Sequence, residues 1–328
     1  VSPTPDQQPV DQTAQGHVQP DQDSQAAATQ TADAPQTPKK KSNAFMNIMI
    51  AICSLALLGG IGVLAYPSFA DWWNRLHSSR AVASYVEQVN DMSAENKAKL
   101  LEGAKQYNTD LLSFPNRFQP SDAEHEYYEK TLDVTGTGIM GYISIPKLEQ
   151  RMPIYHGTEE TVLQIAAGHL EGSSLPVGGP STHAAISGHT GLPSAELFTG
   201  LDTLKEGDQF SVTVLDDEHW YQVDQINVVL PGDMNNLAIE DGKDYLTLIT
   251  CTPYGVNSHR LLVRGHAIPT PPTAKDVQYP SAQDMTNMAI AIAAGVFLVL
   301  ALLVWWLIRR KAKKKSRDAN GAHHAHER

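Results

Sequence analysis

The 328-residue chain carries 36 acidic against 25 basic side chains, a formal net charge of −11. With the seven acids and eleven bases of residues 1–43 and 309–328 set aside, residues 44–308 hold 29 acids and 14 bases, a balance that repels nucleic acid phosphates and excludes a DNA or RNA partner. Two cysteines occur, Cys53 inside a long apolar run and Cys251 far outside it, which leaves no intramolecular disulfide.

Residues 1–43 are rich in Gln, Asp, Ala, Pro and Thr and nearly lack large apolar side chains, so they cannot offset the entropy of ordering a core. They read as a disordered cytoplasmic tail. Residues 44–66 carry no charge and only Asn47 and Ser54 as polar interruptions, long enough for a helix that spans a bilayer. The competing reading is a cleaved signal peptide, with Ser68, Phe69 and Ala70 loosely suited to cleavage. Signal peptides, however, have apolar regions of about 7–15 residues near the N-terminus. This run is longer and follows 43 residues, so a retained span is expected.

Residues 67–137 form a helical segment. Ala81, Val82, Tyr85, Val86 and Val89 recur at helical spacing, as do Leu100, Leu101 and Ala104. Pro115 and Pro120 then break the pattern, which predicts two helices, an irregular stretch over 113–122 and a short helix after it. From Gly138 the period becomes that of strands: Tyr142, Ile143 and Ile145; Phe210, Val212 and Val214; Tyr221, Val223, Ile226, Val228 and Val229; then 245–251 and 261–268. Many short strands with few helices between them predict a closed or nearly closed β-barrel over 138–268.

Residues 269–287, with prolines and polar side chains, read as a linker. Residues 288–308 contain no polar side chain and read as a second transmembrane helix. Lys39, Lys40 and Lys41 precede the first span, and Arg309, Arg310, Lys311, Lys313, Lys314, Lys315 and Arg317 follow the second. The positive-inside rule places both termini, including the basic tail 309–328, in the cytoplasm and the segment between the spans outside.

That topology exposes one thiol, Cys251, to an oxidising exterior, where it is either a small buried core residue or a reactive group. Three segments combine a reactive side chain with turn-forming residues: SGHTGLP (187–193), TLITCTPYG (247–255) and NSHRLLVRG (257–265). The alternation of Leu246 and Leu248 makes a buried strand ending at Cys251, which holds the thiol rigidly at the rim of the domain. A short loop then returns the chain to Arg260. Acyl transfer needs a thiolate, a proton donor for the leaving amine and a cation for the developing oxyanion. Cys251, His189 and Arg260 supply them, although spacing alone does not bring His189 to Cys251.

These three segments, in this order, resemble the sortase family: a histidine in a G-H-T-G-L-P setting, a T-L-x-T-C strand end, and an arginine nine residues after the cysteine. GYISIPKL (141–148), PIYHGT (153–158), GHLEGSSLPVGG (168–179), AELFTGLDTLKEGD (195–208) and CTPYGVNSHRLLVRG (251–265) resemble its class C, pilus-assembling branch. The likeness extends over roughly residues 80–310. It implies an eight-stranded β-barrel preceded by helices and flanked by two transmembrane helices. It also implies a substrate surface protein or pilin with an LPXTG-like sorting signal, and no cofactor. Cys251 would attack the carbonyl of the signal's Thr, cleaving the Thr-Gly bond and forming a thioester, which a lysine amine of the next pilin would resolve. His189 would protonate the leaving amine and deprotonate the incoming one, and Arg260 would hold the substrate backbone or oxyanion.

The chain departs from that branch in one respect. A lid with an Asp-Pro-aromatic triplet is common there, and this sequence has no Asp-Pro pair. Residues 113–122 occupy the corresponding place, with Phe114 or Phe118 as the candidate plug. His156, His169 and His259 read as structural, His183 lacks the Gly-His-Thr-Gly setting, the HHAHER terminus reads as a solvated tail, and no Cys/His spacing supports a metal site. Three alternatives stay open. The acceptor could be a cell-wall peptide amine, the protein could be a pilin-binding scaffold without catalysis, or it could be a papain-like protease. The last reading runs against the order of its histidine and cysteine.

Overall fold

A computed structural model describes residues 44–272, 274 and 279–325. The N-terminal tail, including Lys39 to Lys41, lies outside the described residues. The described residues up to Leu55 form one compact unit, entirely helical, and the chain from Ala56 onward forms a second.

Helix α1 (Ala44–Asp91) continues without interruption through Pro67. The second helix, α2 (Ala94–Leu111), is capped by Ser93, whose hydroxyl accepts from Asn96 N at 3.2 Å. After an irregular stretch comes α3 (Asp122–Lys130), which opens on a reciprocal capping box between Ser121 and Glu124. These helices lean on the barrel through tyrosines. Tyr85 of α1 donates to Met140 O at 3.1 Å and accepts from Leu215 N at 2.7 Å, while Tyr107 and Tyr128 are fully buried in the common core.

Eight strands close into a barrel: β1 (Ile139–Ile145), β2 (Gln150–His156), β3 (Ala167–His169), β4 (Thr182–Ser187), β5 (Gln209–Val214), β6 (Asp217–Val229), β7 (Asp244–Thr252) and β8 (His259–Ile268). Their order around the barrel is β1-β2-β3-β4-β7-β8-β6-β5. The pairs β2/β3 and β4/β7 are parallel and the rest antiparallel. Ile143, Ile154, Ile186, Phe210, Val212, Leu246, Leu248 and Val263, all fully buried, fill the interior. Gly265 leaves room for that filling, because a Cβ there would come within 3.0 Å of the Phe210 ring.

Alternation finds five of the eight strands. The other three lack its signal for local reasons: β2 contains Pro153, β3 is three residues long, and β4 (THAAIS) is buried along nearly its whole length, so no polar face alternates with an apolar one. A four-residue helix, α4 (Glu160–Leu163), sits between β2 and β3.

Helix α5 (Ala282–Ala325) begins six residues ahead of the second apolar run. Ser281 caps it: its hydroxyl accepts from Asp284 N at 3.1 Å and donates to the Asp284 carboxylate at 2.7 Å. Two helical stretches, Ile48–Asp91 and Ala282–Arg310, carry long apolar segments left unburied by the described residues. Both are long and apolar enough to cross a membrane.

Candidate functional site

On β7, Leu246 and Leu248 point into the barrel, so by the two-residue period Ile249 and Cys251 point outward. Cys251 is partly exposed. Its neighbour across the antiparallel ladder is Arg260 of β8, and directly paired residues share a face, so thiol and guanidinium leave the sheet on the same side. The return loop between them is folded on itself, with Val256 N and Asn257 N both donating to Pro253 O at 3.0 and 2.9 Å.

His189 reaches the same rim from the other side of β7. β4 pairs with β7 in parallel through Ser187 and Ile249, and Gly188 continues the ladder by donating its N–H to Ile249 O at 3.0 Å. The Thr250 hydroxyl donates to Gly188 O at 2.8 Å, and Phe198 N donates to His189 O at 3.0 Å. Extending that register by two residues brings His189 level with Cys251. Glycine is required at 188, since a Cβ would stand 2.8 Å from the Phe198 ring. At Gly191, which has φ +76°, a Cβ would meet the Tyr254 ring at 2.7 Å, so the loop after Cys251 closes directly onto the loop after His189.

The sequence-predicted trio therefore converges on one rim, though its polar groups point elsewhere in this conformation. His189 Nε2 lies 3.3 Å from the carboxylate of Glu160, on α4. Arg260 Nη1 donates to its own loop carbonyls, Asn257 O at 3.3 Å and His259 O at 3.1 Å. Among the described residues nothing hydrogen-bonds to the Cys251 thiol. The Gln164 amide, 3.1 Å away, and the His189 imidazole hold the Glu160 carboxyl below the usual glutamate range. Sequence reasoning missed Glu160 because a single acid in a four-residue helix carries no signal.

The other histidines are built into the barrel wall. His169, fully buried, donates from Nε2 to Ser174 O at 2.8 Å, with Tyr128 Oη at 3.0 Å from Nδ1, and burial pushes its pKa down to about 3. His183 donates from Nδ1 to Ala238 O and accepts from Thr247 Oγ1, at 2.8 and 2.7 Å, and burial lowers its pKa to about 4. His156 is buried with its two ring nitrogens 3.1 and 2.8 Å from the carbonyls of Gly138 and Thr131. His259 bonds the neighbouring Ser258 hydroxyl at 2.9 Å. No group of three or more metal-ligating side chains gathers among the described residues, and the HHAHER side chains lie outside them.

Residues 113–122 separate the two candidate plugs. Phe114 packs edge-on against Tyr107, 6.2 Å between ring centroids, on the main core. Phe118 instead joins a second apolar cluster with Ala185, Leu237, Leu262 and Ile249, on the outward face of β7 that also bears Cys251. Arg117 fixes this strap by donating to Gly172 O at 2.9 Å and Leu237 O at 2.6 Å while stacking 4.4 Å over the Phe118 ring. A third group of contacts ties α1 to the loop after His189: Glu196 pairs with Arg75, and Glu196 N donates to Asp71 Oδ1 at 2.8 Å.

Comparison with known proteins is consistent with this architecture. The Sortase domain model matches residues 143–268. Sortase A of Bacillus anthracis is 32% identical over 133 residues, 40% of this chain and 61% of that protein, so the match spans about three fifths of the curated relative. Among solved structures, sortase C1 from Streptococcus agalactiae is 50% identical, with TM-score 0.57, covering 58% of this chain and all of that one. Sortase C of Streptococcus pneumoniae, described with reference to pilin substrate specificity, is 44% identical with TM-score 0.52 over 58% and 97% of the two chains. Sortase C from Clostridium perfringens, solved with the C-terminal cell wall sorting motif, is 40% identical with TM-score 0.52 over 58% and 99%.

Proposed function

The chain belongs to the sortase family, and on that premise we propose that it is a class C cysteine transpeptidase that polymerises pilins. The observation that supports the reading is the pairing of Cys251 with Arg260 across β7 and β8, together with a β4/β7 register that ends two residues short of both His189 and Cys251. In the proposed cycle the Cys251 thiolate adds to the Thr carbonyl of an LPXTG-like sorting signal. Arg260 turns from its loop carbonyls to the developing oxyanion, a shift that exchanges two neutral acceptors for a charged one. Collapse expels the amine of the following Gly with a proton from His189, leaving a thioester on Cys251. A pilin lysine amine then attacks, His189 takes its proton, and the isopeptide product leaves.

Glu160 would hold the His189 ring between the two proton transfers. Residues 113–122 would act as a strap over the approach to Cys251, with Phe118 as its apolar plug and Arg117 as its latch. Both apolar helices would cross the membrane, with both termini in the cytoplasm and the barrel outside.

Purified protein given both a pilin and a wall-peptide amine tests the acceptor. High-molecular-weight pilin ladders are expected, while wall-peptide conjugates alone would point to a housekeeping enzyme that anchors surface proteins. Ladders that persist with Cys251→Ala would leave only a scaffold. For the strap, Phe118→Ala and Arg117→Ala should both speed labelling of Cys251 by a small thiol reagent, and unchanged labelling would remove the strap from the account.

A further inference from the structure

A cavity of about 610 Å³ lies between α1, the turn joining β1 to β2, and the first turns of α5. Trp72, Arg75, Arg151, Tyr279, Met285 and Met288 line it. Most of the charges on its wall are already engaged. Arg75 pairs with Asp71 at 2.9 Å and with Glu196, Asp284 caps α5 through Ser281, and Glu149 is exposed to water.

Arg151 is different. It makes no ion pair among the described residues and lies over the rings of Tyr142 and Tyr279, 4.3 and 5.7 Å from their centroids. Among the described residues its buried Nε–H finds no acceptor, and neither does the buried indole N–H of Trp72. A buried donor left unmatched forfeits the hydrogen bond it made to water. Two such donors beside a cation that has no ion-pair partner among the described residues ask for an anionic acceptor.

The other walls and the location narrow the chemistry. Met285 and Met288 make an apolar flank, and Met288 is the first residue of the second apolar run. Trp72 lies six residues beyond Tyr66, the end of the first apolar run, about 9 Å along a helix. With α1 and α5 read as membrane spans, Trp72 and Met288 both fall at headgroup level, outside a hydrocarbon core about 30 Å thick. Water would satisfy the two donors but would leave the methionine flank wetted.

We propose that this cavity binds one phospholipid. The headgroup phosphate sits between Arg151 and Trp72 Nε1, and the acyl chains start along Met285 and Met288 towards the bilayer. The proposal is independent of the transpeptidase reading, because it concerns a site away from Cys251 and is read by binding alone.

The test is native mass spectrometry of the full chain in detergent micelles with added phosphatidylglycerol. One lipid should be retained on the wild-type protein. Arg151→Gln and Trp72→Phe should each weaken binding about tenfold, the loss of one charge-assisted or buried hydrogen bond, and Arg151→Lys should restore most of it. Retention equal to wild type in both variants would mean an annular lipid only and overturn the proposal. Displacement by excess inorganic phosphate would mean a free-anion site and overturn it too. A photoactivatable phosphatidylglycerol on the unmutated protein covers the case in which a variant fails to fold. Labels should map to peptides containing Trp72, Arg151 or Met285, and labels spread evenly over α1 and α5 would contradict the site.

Discussion

The two faces of β7 put the same strand to different uses. Inward, Leu246, Leu248 and Thr250 are buried, and the leucines join the main core alongside side chains from every wall. Outward, Ile249 and Cys251 face a shallow second cluster and a partly exposed rim. The inward face secures position through many interchangeable contacts, whereas the outward face holds single side chains that nothing else duplicates. Stability and activity should therefore separate along one strand, residue by residue.

The largest separation is expected at Cys251. Cys251→Ala should reduce transpeptidation at least ~10⁴-fold, because no second nucleophile takes its place, while the melting temperature stays close to wild type. A variant that lost its fold together with its activity would erase the contrast between the faces. His189→Ala should cost about 10²–10⁴-fold in kcat/KM, the usual worth of a general acid-base. Arg260→Ala should cost about 10²–10³-fold with partial recovery in Arg260→Lys, since the lysine keeps the charge but loses the fork. The inward face should behave in the opposite way. Leu248→Ala should lower the unfolding free energy by about 2–5 kcal/mol in a urea titration and leave activity per folded molecule nearly unchanged.

The barrel-wall histidines sharpen the same contrast through pH. Burial lowers the pKa of His169 to about 3 and that of His183 to about 4, so both are neutral when folded and gain protons on unfolding. The unfolded chain then binds more protons below about pH 6.5, and stability falls as the pH falls. Each group should contribute a slope that rises from about 0.7 kcal/mol per pH unit at pH 6.5 towards about 1.4 near pH 5, above the range where carboxylates titrate. Melting temperatures across that window check it: a halved slope would mean that one of the two rings is already charged in the fold, and a flat profile that both are. The smallest effect is expected at Glu160→Gln. The pair is exposed to water and screened by salt, so transpeptidation should fall no more than about fivefold, and less in high salt.

What was legible in the sequence follows the range of the interactions involved. Uninterrupted apolar runs and two-residue alternation are local, and they suffice for two long apolar helices and five strands. The strand carrying Cys251 and the short return to Arg260 are nearly local as well. His189 is not, because its place beside β7 depends on a parallel pairing between segments about 60 residues apart. No local pattern encodes that pairing, and family resemblance supplied the residue instead. Phe114 and Phe118 look equivalent in an irregular stretch with two prolines. Packing distinguishes them, one on Tyr107 and the other in the cluster with Ile249.

The central claim is that Cys251 forms a thioester with a sorting signal. Mass spectrometry of the protein incubated with an LPXTG-type peptide tests it most directly. The account predicts an adduct equal to the peptide up to its Thr, located on Cys251 and absent from Cys251→Ala. A peptide that binds without leaving any adduct on Cys251, or that leaves one elsewhere, would contradict it.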